Sequence, residues 1–278
     1  MVEFGRGRNL DIDMRTRFTF FTIAATALLS VVAAAQNLPW NNPGGVQGLT
    51  APQAGSTAPA PKRDLSGIWD AGGAGIGARG MPAAPLTPWG DALGKTHHSG
   101  DGARMVPAPD INDPLSTMGD PSGFPRNLLF ELRPFQVVHT ANQVLMLYMF
   151  EKRWRVIWTD GRQLPKDPDP RWYGYSVGRW EDDYTFVVNS VGTDERTWLD
   201  NAGNPHSNDL KVEERYRRVG RDLMELTVTL DDPKTYTRPW VARDKLQLRL
   251  LPPDMDLMEM IPSATEAAAV KKIYAGEK

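Results

Sequence analysis

Between Leu128 and Leu250 the chain alternates apolar and polar residues with a period of two, in runs too short for anything but strands. The pattern is plainest near the end. Met224, Leu226, Val228 and Leu230 share one face, while Leu223, Glu225, Thr227 and Thr229 share the other. Leu246, Leu248 and Leu250 alternate with Lys245, Gln247 and Arg249, and Trp154, Val156 and Trp158 lie on one side of the run 153–159. Further runs cover residues 130–140, 143–150, 173–180, 184–191 and 210–218, separated by turn-forming breaks such as Ala141-Asn142 and Asp160-Gly161. Each run reads as a half-buried antiparallel strand with one wet face. Because open edges invite aggregation, the series predicts a mainly β fold: a single antiparallel barrel or strongly curved sheet.

The N-terminal part of the chain is of another kind. Met14-Arg15-Thr16-Arg17 is a short basic stretch, residues 18–32 carry no charge, and Ala33-Ala34-Ala35 supplies small residues before Gln36. That is the three-part pattern of a cleavable secretory signal, which predicts an exported protein, periplasmic or extracellular, with residues 14–35 removed. Residues 1–13 are polar and read as a start-site artefact. Removing residues 1–35 leaves 28 basic and 31 acidic side chains, a net charge near −3. A near-neutral surface argues against a nucleic-acid partner, and no membrane association is expected after cleavage. With no cysteine, the domain must rest on its core alone, which a chain of this length can build.

Residues 36–62, rich in Pro, Gly, Ala and Ser, predict a flexible linker to a β-rich domain over 63–278. Leu65, Ile68 and Trp69 form the first apolar anchor, with Gly67 allowing close approach. Residues 72–126 are crowded with Gly and Pro and predict an irregular arm or lid, apart from a short helix near 88–93 with Thr87 as its cap. At the other end, Ser263 and Glu266 have capping-box spacing ahead of a helix over 263–275.

No cofactor-binding or metal-ligand framework is evident, and none is expected. His97 and His98, with Asp91 or Asp101, have no recognised metal spacing, and His139 reads as a core histidine in a strand. His206, beside Ser207 and Asp209, is the better acid/base candidate. Glu214 stands out because alternation puts it with Leu210, Val212 and Tyr216, away from Lys211, Glu213, Arg215 and Arg217. A carboxylate on an apolar face must be paired or protonated; Arg162 and Arg179 are the expected partners. Aromatic side chains beside arginines suit a small-molecule pocket. Trp158, Asp160, Arg162, Tyr173, Tyr175, Arg179 and Trp180 are the candidates, with His206 and Glu214 as further polar contacts.

The segments 158–162 (WTDGR), 174–183 (GYSVGRWEDD), 197–200 (TWLD), 205–207 (PHS) and 214–216 (ERY) resemble a large, uncharacterised family of exported bacterial proteins. Asp232-Pro233-Lys234 and Pro239-Trp240 fit the same pattern. The resemblance runs from about Leu65 to the C-terminus and implies no particular activity. It does imply cysteines near Gly119 and Pro262; both are absent here, which would leave the arm looser. The Gly67-Ile68-Trp69 opening before a strand meander is also similar to calycin barrels of the lipocalin kind.

The leading functional expectation is an exported barrel that binds a small, partly apolar molecule. An enzyme of hydrolase or isomerase type, using His206 or Glu214, and a structural envelope module without ligand are the other two readings. Neither the ligand nor the oligomeric state is legible.

Overall fold

The computed structural model describes residues 58–77, 80–261 and 263–274. The expected start-site segment, the signal sequence and residues 36–57 of the linker lie outside the described residues. Nine strands follow in chain order: β1 (Gly67–Asp70), β2 (Phe135–His139), β3 (Gln143–Tyr148), β4 (Trp154–Trp158), β5 (Tyr175–Trp180), β6 (Thr185–Val191), β7 (Lys211–Gly220), β8 (Leu223–Asp231) and β9 (Trp240–Leu250). They form one closed barrel in that order. Closure comes from β9 pairing back on β1 through Trp69 opposite Leu250 and Asp70 opposite Arg249.

Every neighbouring pair is antiparallel except β4 and β5, which run parallel and meet only at Trp158 and Val177. A tight turn reverses chain direction, whereas parallel neighbours need a longer crossover. Residues 159–174 supply it. The expected strand from residue 130 starts later, at Phe135. Residues 126–129 form a helical turn instead, and Pro134 has no N–H to offer a ladder. Leu132 N bonds the Gly75 carbonyl, tying this link to the arm.

The barrel interior is filled by side chains. Val144, Met146, Ile157, Phe186, Leu226 and Leu248 project inward from the strands and are buried. Phe124, Leu128, Leu129 and Leu132, from the link before β2, join the same core. Trp69 is wholly buried, with its indole N–H donating to the Leu65 carbonyl at 2.9 Å. Gly67 makes room for this opening, since a Cβ there would lie 2.4 Å from Leu250 Cδ1.

The arm before β2 contains α1 (Pro88–Gly94) and α2 (Pro114–Met118) and three single 3-10 turns. Thr87 caps α1 by accepting from Gly90 N at 3.0 Å. The arm is fastened at several places. Thr87 N and Thr237 N bond the Thr235 and Pro85 carbonyls. Deeper in, Arg126, on α3 (Arg126–Leu129), grips Asp113 with two hydrogen bonds of 2.8 and 2.5 Å, both side chains being almost fully buried.

The C-terminal helix, α4 (Ala264–Tyr274), is capped as the spacing implies: Ser263 Oγ accepts from Glu266 N at 3.2 Å. Arm and tail meet at Gly119, which ends α2 with φ 71°. A Cβ there would sit 2.7 Å from Ala264 N, against backbone. Gly119→Ala is therefore expected to loosen α4 from α2 with little effect on the barrel. Limited proteolysis should then cut the tail faster than in the parent protein, at an unchanged main melting transition.

Candidate functional site

The single-residue seam between β4 and β5 leaves a cleft of about 460 Å³ over the outside of the barrel wall. This is within the usual range for small-molecule sites, roughly 300–1,000 Å³. Its walls come from three pieces of chain: the outward face of β4, the outward face of β5, and the crossover between them. Trp154, Val156 and Trp158 belong to the first, Tyr175 and Val177 to the second. The crossover adds Arg162, Leu164, Pro165, Arg171 and Tyr173. Four aromatic rings and three arginines line the cleft, and no carboxylate does.

The cations are held against the rings. Arg162 lies over Trp158, its guanidinium carbon 3.4 Å from the ring centroid, and Arg171 lies over Tyr175 at 4.1 Å. Such stacks preorganise a guanidinium while leaving its edge N–H groups outward. Arg162 also binds Asp160 at 2.6 Å. Arg171 forms no ion pair among the described residues. Tyr173 donates to Glu151 at 2.8 Å, and Glu151 also accepts from Ser122 N and Ser122 Oγ. Burial, reinforced by the Glu151 charge, pushes the Tyr173 phenol well above its ordinary value, so it stays a neutral donor.

Arg155 and Ser176 point inward from β4 and β5 and form the cleft floor where the two strands separate. Arg155 Nε donates to Ser176 Oγ at 3.0 Å, closing the seam with side chains where no ladder exists. Behind it, Arg155 makes two hydrogen bonds of 2.8 and 2.5 Å to Glu214 on β7, and a third to Ser190 at 2.8 Å. Tyr216 donates to Glu214 at 2.7 Å, and the Arg155 guanidinium lies 3.8 Å over the Phe124 ring. Burial works against the Arg155 charge, but Glu214 outweighs it and holds the guanidinium more strongly protonated than usual. Burial pushes the nearby Tyr148 phenol up to about 12.

Glu214 thus points into the barrel, as alternation implies, and is fully buried. The expected partners, Arg162 and Arg179, are corrected by the structure. Arg162 belongs to the outer cleft wall, and Arg179 is an exposed side chain on β5. The actual partner, Arg155, escaped notice because Trp154, Val156 and Trp158 look like the buried face of their strand. They form the outward one; Trp154 is 66% exposed.

The remaining candidates separate. Trp158, Arg162, Tyr173 and Tyr175 line the cleft, with Asp160 bound to Arg162 at its edge. Trp180 stands away from it, tilted against Phe186 at 5.1 Å and stacked on His139. His139 in turn accepts from Leu65 N at 3.1 Å, a structural role. His206 is wholly buried, with Nε2 2.8 Å from Thr197 Oγ1 and Nδ1 2.9 Å from the Ser207 carbonyl. Both ring nitrogens are occupied, so it has no free edge for proton transfer to a ligand. Ser207 is likewise engaged, bonding Asp232 through its N–H and hydroxyl. His97 stacks on Trp198 at 4.4 Å and bonds the Gly203 carbonyl. Among the described residues, no group of three or more His, Asp or Glu is placed to hold a metal.

Burial lowers the His206 pKa, since desolvation disfavours the imidazolium. Between its folded value and the unfolded value of about 6.5, the unfolded state binds more protons, so stability falls with acid there. His97 and His139 shift the same way, also through burial. Stability should therefore be full above about pH 7 and decline as pH drops through 6. His206→Gln should flatten that slope whatever its effect at pH 8. Urea midpoints from pH 8 to 5 measure both, and an unchanged slope would remove His206 from the account.

No family model, curated protein or solved structure matches this chain.

Proposed function

We propose that this protein is exported and binds a small, partly apolar molecule carrying negative charge, at the cleft over the β4–β5 seam. The observation that carries this reading is the lining: four aromatic rings, no acid in the walls, and Arg171, a stacked guanidinium with no ion pair among the described residues. Rings supply apolar contact area, and fixed guanidiniums supply charge-assisted hydrogen bonds. A cation or a plain hydrocarbon would leave Arg171 unused. Export rests on the pattern over residues 14–35. No helix among the described residues is long and apolar enough to cross a membrane.

Calorimetric titration with benzoate and phenylacetate, against benzyl alcohol as the neutral analogue, tests the site. The acids should bind and the alcohol should be at least tenfold weaker. Arg171→Gln should weaken the acids by roughly tenfold or more, the size of a lost charged hydrogen bond, and leave the melting temperature unchanged. No heat with either acid, or equal binding by the variant, would reject the cleft. Native mass spectrometry of protein from its own host identifies any molecule that copurifies. Exported material should begin at Gln36, and N-terminal sequencing checks this.

A further inference from the structure

Trp154 also lines a second cleft, of about 380 Å³, formed with Leu147 on β3 and with Met255 and Leu257 from the segment after β9. The two clefts therefore share an indole wall. Trp154 and Trp158 lie on the same face of β4, four residues apart, so roughly 13 Å separates them. A ligand that engages both is longer than any single ring.

Cations mark both ends of this run. Arg162 and Arg171 stand at the Trp158 end. Lys152, Arg153 and the acid Asp256 stand at the Trp154 end; Lys152 donates to the Leu257 carbonyl, and Arg153, which forms no ion pair among the described residues, is the cation that marks this end. Between them, Val156 and Leu147 are already half-covered, whereas Trp154 is 66% exposed. An alkyl chain gains from enclosure on every side, which a surface groove does not provide. A ring needs one flat partner.

We infer that the two clefts form one extended groove for an acidic oligosaccharide. Its sugar rings stack on the indoles and its carboxylates meet the arginines at each end. This rests on the reading of the first cleft as an anion site and names the ligand class for it. Arg153, which lines the second cleft and not the first, serves the second part of the chain, beyond the reach of a single-ring acid.

Titration of the intact protein with galacturonate and its oligomers of increasing length is the test, with neutral oligosaccharides of equal length and benzoate alongside. Affinity should rise with acid-oligomer length and level off once both indoles are spanned, while the neutral series stays weak. Arg153→Gln, which changes a residue of the second cleft alone, should remove the gain from length, roughly tenfold for one lost charged hydrogen bond, and leave benzoate binding intact. Equal affinity for monomer and oligomer, equal binding of neutral chains, or an undiminished gain in Arg153→Gln would overturn the extended groove. If benzoate still binds in that event, only the extension fails; if benzoate does not bind either, the first cleft itself is wrong.

Discussion

Glu214→Gln should destabilise the protein by roughly 3–5 kcal/mol, because it leaves Arg155 buried without its counter-charge. For a domain of this size that is a fall in melting temperature on the order of 10 °C. The geometry makes the loss hard to recover. Arg155 spends two of its hydrogen bonds on the carboxylate, and Tyr216 donates to the same group. Glutamine retains one acceptor and turns an N–H₂ toward a guanidinium. The paired change Arg155→Met with Glu214→Leu should recover much of the loss, since removing both charges also removes their desolvation cost. Because Arg155 also lies in the cleft floor, benzoate binding should be measured in the same variants. A Glu214→Gln protein that melts like the parent but fails to bind would make the carboxylate a servant of the ligand. One that melts and binds like the parent would refute the pair altogether.

The second large effect is expected at Asp113. Asp113→Ala strips the buried Arg126 of both its charged hydrogen bonds, again at a cost of roughly 3–5 kcal/mol. Asp113 also caps α2, accepting from Leu115 N at 3.1 Å, which adds about 1 kcal/mol. Here the loss should be local. The arm is joined to the barrel by few ladder bonds, so it can open as a unit while the strands hold. Amide exchange in residues 80–122 should rise sharply, with β7 and β8 little changed. Asp113→Asn keeps an acceptor for the cap but not the charge, and should fall between. Uniform acceleration across barrel and arm would show instead that Arg126 supports the whole fold, through its contacts with the Phe130 and Trp198 rings.

These two ion pairs differ in how far they could be anticipated. Glu214 announced itself, because a single acid interrupts the apolar phase Leu210, Val212, Tyr216. Asp113 and Arg126 carry no such mark. They lie in Gly- and Pro-rich chain without a period, where nothing assigns a side chain to a face. Local signals elsewhere were legible for a definite reason: Thr87 and Ser263 cap helices through residues three positions away. His206 misled in the opposite sense. Its neighbours Ser207 and Asp209 suggest chemistry, yet its partners are Thr197 and a backbone carbonyl.

Period two in the sequence determined where most strands run and which residues share a face. It could not decide which face is inside, because alternation is symmetric under exchange of its two faces. In β4 the apolar face, Trp154, Val156 and Trp158, is the outer one, and the inner face holds Arg155. That choice depends on Glu214, Ser176 and Ser190, which lie on three other strands and satisfy the buried guanidinium. The parallel seam is equally non-local. It exists because residues 159–174 bring β5 back in the direction of β4, and only closure of the barrel holds the two side by side. The strands were written in short-range pattern; the cleft arises where distant strands fail to pair, and only the folded chain decides that.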